Sequence, residues 1–370
     1  MIYLDYAANT PVDEEVLETY IEATRKYIAN PNSSHPLGKE AKERIDESSK
    51  IIADYFNTDS KNIIYTSGSS ESNNLVLKGI AEMYKDKGNK IIISAVEHSS
   101  IVAPCNYLAS HGYDISIIPL TKEGKVDLEI LKEELDDNTI LVSICGVDSE
   151  LGTIQPIEEI AEIVKNSNAY FHTDATQAIG KTDIDYSKVD FITFAPHKFF
   201  GINGSGVLVN MNDIKLTPLI HGGKSTTIYR SGTPVTANVI ATAKALTLAT
   251  EKYEERYKYI KELNDTLRTE FEQISCIHIN SPKDTIPNTL NISLIGKDTK
   301  KVLKELEANN IYLSTTTACS LGSAPSKSVL AITGSEELAA NTIRISISHL
   351  TTKEEIDKFL EIFKKIITKD

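Results

Sequence analysis

Short apolar runs rich in β-branched residues alternate with stretches of helical periodicity between residues 62 and 210. Strands are predicted at Ile63–Thr66, Lys90–Ala95, Ile115–Leu120, Ile140–Val147, Ala169–Asp174, Phe191–Ala195 and Gly206–Asn210. Between them, Glu71–Tyr84, Ile101–His111, Leu128–Leu135 and Ile157–Val164 carry the 3.6-residue spacing of a helix with one apolar face. This order predicts an α/β fold, a mostly parallel sheet flanked by helices, whose strand ends frame a ligand crevice.

Two helices are predicted ahead of that region. Asp13–Ala29 is opened by Pro11 and Asp13 and closed by Asn30-Pro31-Asn32, Ser33–Gly38 reads as a loop, and Lys39–Phe56 follows. After the sheet, Val235–Ile274 reads as one or two long charged helices suited to bridging two units. Strands at Ile277–Ile279, Leu290–Leu294, Ile311–Ser314 and Ile343–Ile347, with helices at Lys300–Ala308 and Lys353–Ile367, predict a smaller α+β unit. A chain of 370 residues exceeds the size at which one core stops growing. The expected division is a large α/β domain over 14–255 and a small α+β domain built from 1–13 and 256–370.

Composition narrows the function. A net charge of −13 argues against nucleic acid or an anionic membrane surface as the main partner. No apolar run approaches the roughly 20 residues that span a bilayer, and the start Met1-Ile2-Tyr3-Leu4-Asp5 lacks the order of a signal peptide, so a cytoplasmic location is expected. Cys105, Cys145, Cys276 and Cys319 lie far apart with no metal-ligand spacing, so neither a metal site nor a disulfide framework is expected.

Several strand ends carry chemistry. The strand Phe191–Ala195 runs into Pro196-His197-Lys198-Phe199-Phe200-Gly201, which delivers one lysine to the crevice. Desolvation and a cationic neighbour such as His197 make such an amine nucleophilic, although the same pair also reads as a solvated lysine in a surface loop. The turn Thr66-Ser67-Gly68-Ser69-Ser70 opens a helix, as in phosphate sites and equally in an ordinary serine-rich cap. Phe171-His172-Thr173-Asp174 ends on a carboxylate, either a turn cap or a partner for a protonated pyridine nitrogen. His98 follows another strand in Glu97-His98-Ser99-Ser100.

Taken in order, YLDYAANTPVDEEV, NPNSSHPLGKEA, YTSGSSESNN, EHSSI, SELGTIQPI, FHTDATQAIGK, FAPHKFFGINGSG, RSGTPV, PNTLNISL, TTTACSLG and NTIRISIS resemble the cysteine desulfurases of the pyridoxal-phosphate-dependent class V aminotransferase family nearly end to end. The resemblance implies a fold-type I pyridoxal-phosphate-dependent transferase, with a seven-stranded sheet in the large domain, acting as a homodimer. Lys198 would hold pyridoxal 5'-phosphate as a Schiff base, Asp174 would pair with the ring nitrogen, and Gln177 and Ser149 would face the ring oxygen. His98 would stack on the ring and assist proton transfers. Ser69, Ser70 and His197 would hold the phosphate, with Thr233 from the second subunit. Arg344 would grip the substrate carboxylate, with Asn9 beside the substrate.

The implied reaction takes L-cysteine to L-alanine and leaves a persulfide on Cys319. The sulfur would pass to an acceptor protein for Fe–S cluster assembly, tRNA thiolation or thio-cofactor synthesis. Small, turn-forming residues after Cys319 predict a mobile segment, whereas Cys105, Cys145 and Cys276 lie in apolar runs and read as inert core thiols. The chain departs from the family pattern at Asp148-Ser149, where two asparagines are usual, and at Ala195, where a serine is usual. Lys224 follows Gly222-Gly223 in place of a third glycine, and Thr315-Thr316-Thr317 makes the approach to Cys319 stiffer. A selenocysteine lyase, a related aminotransferase and an inactive sulfur-relay scaffold remain alternatives.

Overall fold

The structure, a computed structural model, describes residues 1–315 and 325–368; Cys319 and its immediate neighbours lie outside the described residues. In chain order the elements begin with β1 (Ile2–Tyr3), α1 (Glu14–Lys26), α2 (Pro36–Tyr55), β2 (Ile63–Thr66), α3 (Ser69–Met83), β3 (Lys90–Ser94), α4 (Ser99–Ala109) and β4 (Asp114–Ile118). They continue through α5 (Leu128–Glu134), β5 (Thr139–Ser143), α6 (Ile157–Lys165), β6 (Tyr170–Asp174), β7 (Phe191–Phe194), β8 (Gly206–Asn210) and α7 (Thr236–Glu251). The chain then forms α8 (Tyr253–Glu272), β9 (Ile277–Ile279), β10 (Thr289–Leu294), α9 (Thr299–Ala308), β11 (Ile311–Tyr312), α10 (Lys327–Thr333), α11 (Glu336–Ala340), β12 (Thr342–Ser346) and α12 (Lys353–Ile367).

Seven strands form one sheet in the order β2-β8-β7-β6-β5-β3-β4. Only β8 runs against its neighbours, so the sheet is mostly parallel and the other strands end at one edge. Helices cover both faces, which is why β3, β5, β7 and β8 are buried at every residue and read as continuous apolar runs. One face packs Ile92, Val142, Phe171 and Phe194 against α2, α6 and α7; the other packs Ile91, Ile93, Leu141 and Phe191 against α3 and α4. Because β3 and β5 are neighbours while β4 lies outside β3, the strand order reverses beside β3 and β5. A crevice opens at such a reversal.

The second half builds a separate three-stranded antiparallel sheet, β12-β10-β9, over a core containing Phe271, Phe359 and Phe363. The N-terminal strip lies beside it: β1 and β11 form a separate two-stranded parallel sheet, and Asp5 bridges Ser346 of β12. The strip then crosses to the large sheet, where Thr10 Oγ1 donates to the His197 carbonyl at 2.9 Å and accepts from Phe200 N–H at 2.8 Å.

One sequence expectation changes and another is narrowed. The stretch read as a loop at 33–38 is helical from Pro36, because a proline at the first helical position loses no bond and the His35 ring accepts from Gly38 N–H at 3.3 Å. The long region after Val235 is two helices broken at Lys252: α7 is buried nearly all round, while α8 carries a polar face and buries Ile260, Leu263, Leu267 and Phe271. The short helices α10 and α11, capped by Ser326 and Ser335, had no periodicity long enough to predict them.

One glycine holds the crevice edge closed. A Cβ on Gly206, the first residue of β8, would lie 2.4 Å from the Gly68 carbonyl carbon, in the turn that opens α3. Gly206→Ala is expected to force these two backbones apart and destabilise the protein by about 1–3 kcal/mol. Chemical denaturation of the two proteins measures this directly.

Candidate active site

Five strand ends deliver the candidate residues to one place. The turn after β2 gives Ser69 and Ser70, β3 leads to His98, β5 to Ser149, β6 to Asp174 and Gln177, and β7 to His197 and Lys198. All eight, with Arg344 from β12, line a single cavity of about 260 Å³. Ala7 and Ala8 of the N-terminal strip close one wall.

Lys198 lies on a single 3₁₀ turn, Pro196–Lys198, and its Nζ donates to the carbonyls of Ala7 at 2.9 Å and Ala8 at 2.5 Å. Asp174 Oδ1 accepts from Thr176 N–H at 2.9 Å and Oδ2 from the Asn73 amide at 2.8 Å. The same amide donates to Ser100 Oγ at 2.9 Å, while Asn73 Oδ1 accepts from Thr193 Oγ1 at 2.5 Å. Ser100 Oγ lies 2.8 Å from His98 Nδ1, and Ser100 N–H donates to that nitrogen at 3.2 Å. His98 Nδ1 is therefore the acceptor, and its proton resides on Nε2. Burial lowers the His98 pKa below its ordinary value and outweighs the attraction of Asp174, so the ring is neutral. His197 is also neutral: burial, with Lys198 and Lys181 nearby, pushes it down to about 4.

Arg344 is among the most buried large side chains. One terminal nitrogen donates to Asp5 at 2.9 Å and the other to the Ser149 carbonyl at 3.1 Å, while Nε is buried with no partner among the described residues. Each terminal nitrogen carries a second N–H and the side chain lines the cavity, so donor capacity remains there for a ligand.

The remaining expectations divide. Asn9 does not line the cavity; its amide donates to the Thr10 carbonyl at 3.1 Å. Thr233 is exposed and also absent from this chain's cavity wall. Ala195 is fully buried and lies off the wall, whereas Lys224 is exposed. Cys319, named as the nucleophile, lies outside the described residues. Cys105 and Cys145 are buried, and burial pushes the Cys105 thiol up to about 12. Cys276, expected in the core, is partly buried and packs against the core of the small unit.

Several contributors had no sequence signal. The carbonyls of Ala7 and Ala8 are backbone groups that any residue supplies. Asn73 sat within the serine-rich motif, but its contacts to Asp174, Ser100 and Thr193 span 101, 27 and 120 residues. The departure at Asp148 proves structural: its carboxylate accepts from Glu150 and Leu151 N–H groups and from Ser328 Oγ at 3.2 Å, which an asparagine oxygen could satisfy only in part. Glu150 likewise accepts from Ser326 Oγ, so this turn holds the start of α10.

The family model for aminotransferase class-V matches residues 2–359. The chain belongs to the class-V aminotransferase family. A relative from Dictyoglomus turgidum named cysteine desulfurase IscS is 38% identical over 373 residues, spanning 100% of this chain and 95% of the relative. Among solved structures, a NifS-like protein superposes with a TM-score of 0.93 at 32% identity, covering 99% of each chain. A structure titled SspA in complex with cysteine superposes with a TM-score of 0.84 at 30% identity, covering 95% of this chain and 100% of that one.

Enzymes of this class-V family work with pyridoxal phosphate, and the donor set fits that group. Helix α3 begins at Ser69 with no side-chain cap, which leaves first-turn N–H groups for a phosphate. A buried carboxylate at Asp174 matches a protonated ring nitrogen, and the spare terminal N–H groups of Arg344 on the cavity wall match a substrate carboxylate. No group of three or more His, Cys, Asp or Glu that could hold a metal occurs among the described residues.

Behind His98, Glu97 accepts from Ser94 Oγ at 2.5 Å and Cys145 N–H at 2.9 Å, and its Oε2 is buried with no partner among the described residues. Burial and the nearby Asp174 and Asp148 push its pKa from 4.5 to about 8. A carboxyl whose folded pKa is raised contributes its full stability below the unfolded value and loses it as pH rises through the folded one. Wild-type stability relative to Glu97→Gln is therefore expected to fall between pH 4.5 and about 8, by up to about 1.4 kcal/mol per pH unit. Denaturation of both proteins across that range checks the slope.

Proposed function

We propose that this protein is a cysteine desulfurase that converts L-cysteine to L-alanine and carries the sulfur as a persulfide on Cys319. In this reading it is a cytoplasmic homodimer that hands the sulfur to an acceptor protein in iron–sulfur cluster assembly, with Thr233 completing the phosphate site of the partner subunit. The division into units at 14–255 and 1–13 with 256–370 belongs to the same reading. The observation that carries it is the meeting of Lys198, Asp174, His98 and Arg344 on one cavity wall beside the uncapped start of α3.

Bound pyridoxal phosphate would supply an electron sink for the carbanion formed at the substrate Cα. The residues divide the remaining work. Ser69, Ser70 and the first turn of α3 hold the phosphate, with His197 beside them. Asp174, held by Asn73, keeps a proton on the ring nitrogen, and Gln177 faces the ring oxygen. Arg344 fixes the substrate carboxylate through a planar fork that Asp5 and Ser149 orient. The Lys198 amine, once released from the cofactor, takes the Cα proton, and His98 presents its Nε2–H to the reacting groups. Cys319 thiolate attacks the substrate sulfur: the C–S bond breaks, an S–S bond forms, and protonation of the carbon leaves alanine.

Protein loaded with pyridoxal phosphate and given L-cysteine should release alanine and gain one sulfur atom, mapped by mass spectrometry to Cys319. Pyruvate as the main product would overturn the reading. Lys198→Ala should remove the visible absorbance of the lysine-bound cofactor, whereas Cys319→Ala should keep that absorbance and lose the persulfide. Arg344→Lys should raise KM for cysteine at least about tenfold, since an ammonium cannot reproduce the bidentate fork.

A further inference from the structure

Lys181 is a buried lysine that the scheme above leaves unused. It follows β6 on the turn that carries Asp174 and Gln177, and its Nζ donates to Gln177 Oε1 at 2.7 Å. Gln177 Nε2 donates in turn to the Ala7 carbonyl at 2.9 Å. A lysine head offers donors to an amide oxygen, so this contact assigns the two ends of the Gln177 amide: oxygen toward Lys181, NH₂ toward Ala7 and the cavity.

Lys181 also lies directly behind Lys198. The two side chains line the same two small voids of about 20 Å³ each, one bounded by Phe200, Arg256 and His349 and the other by Tyr6, Thr10 and Ser346. Apart from neutral polar groups such as the Gln177 amide, the groups that face Lys181 are cations or neutral rings. Lys198 and Arg344 both act on it with like charge. Arg256 lines the first void together with Tyr253 and Tyr257. His349 is held neutral by burial, as is His197 on the cavity side. No carboxylate lines either void among the described residues. Burial, Lys198 and Arg344 push the Lys181 pKa down to about 7, so an anion entering the cavity would draw a proton onto it.

We propose that Lys181 is a positioning residue for the cofactor: it sets the Gln177 amide so that NH₂ meets the ring oxygen, and it supplies a second positive charge behind Lys198. This rests on the reading that Lys198 binds pyridoxal phosphate. The charge disfavours a further proton on the lysine–cofactor nitrogen, and the oriented amide favours the ionised ring oxygen. Both effects lower the pH at which the lysine-bound cofactor changes colour.

The test is a pH titration of the visible absorbance in wild type, Lys181→Met, Lys181→Gln and Lys181→Arg, each loaded with pyridoxal phosphate, together with the cofactor dissociation constant. Removal of the charge in Lys181→Met and Lys181→Gln should raise the titration midpoint by about one pH unit or more, and Lys181→Arg should return it toward wild type. Cofactor affinity should fall at least about tenfold in Lys181→Met and less in Lys181→Gln, whose amide can still donate to Gln177. If Lys181→Met fails to fold, Lys181→Gln alone decides the question. An unchanged midpoint in a folded, cofactor-loaded variant lacking the charge would overturn the proposal. Wild-type protein with no visible band on loading would instead remove the cofactor reading on which it rests.

Discussion

The side chain of Asn73 holds the site together. Buried in the second turn of α3, it donates to Asp174 and to Ser100 and accepts from Thr193, which ties the start of α3 to β6, β7 and the cap of α4. Each partner is buried, so loss of any one would leave a polar group unsatisfied in a low-dielectric interior. The network passes through Ser100 to His98 and through Thr193 to His172, whose other nitrogen meets Ser143 Oγ at 2.8 Å. Asp174 is thereby fixed in position while its approach to the cavity stays open. The carboxylate proposed to face a pyridinium nitrogen is aimed before any ligand arrives, and preorganisation of this kind is where electrostatic catalysis gains most.

A second constraint comes from the N-terminal strip, which belongs to neither sheet alone. Its first residues pair with β11 and reach the small sheet through the Asp5–Ser346 bridge, and its later ones close over the lysine turn through Thr10. Between these anchors, the carbonyls of Ala7 and Ala8 receive Lys198, and Asp5 receives Arg344. The group that would bind the cofactor and the group that would bind the substrate are therefore registered by one short stretch of backbone. Asp5 matters doubly, because a guanidinium only 1% exposed requires a charged partner. The surplus of cations around the cavity, Lys181, Lys198 and Arg344 against Asp5 and Asp174, matches ligands that bring a phosphate, an ionised ring oxygen and a carboxylate.

Buried acids lie on the opposite flank. Asp148 is pushed up to about 7 by burial and by Glu150, and together they hold Ser328 and Ser326 at the start of α10. The Asp148 side chain accepts from two backbone N–H groups and a serine. These contacts tie the turn that leads out of β5 to α10 and leave the cavity wall to Ser149, whose backbone carbonyl accepts from Arg344.

Hydrophobic period alone determined the seven strands of the large sheet and most of its helices, because a strand buried on both faces must be apolar throughout and a covering helix must be apolar on one side. Strand-end motifs likewise exposed Lys198, Asp174, His98 and Ser69-Ser70, since parallel strands leave their chemistry at one edge. The sequence missed the helix start at Pro36, where a ring caps the backbone, and the short helices α10 and α11, which are too brief to show a period. It also had no means of seeing the contacts that make these residues a site. Those contacts join groups up to 339 residues apart, as between Arg344 and Asp5, and many use backbone carbonyls that no side-chain pattern encodes. Asn9 shows the limit from the other side: it lies within a recognisable motif, yet its amide meets local backbone while Ala7 and Ala8 form the wall. Which side chains face the cavity, and which lysine stands behind another, is decided only when the two sheets and the N-terminal strip close on each other.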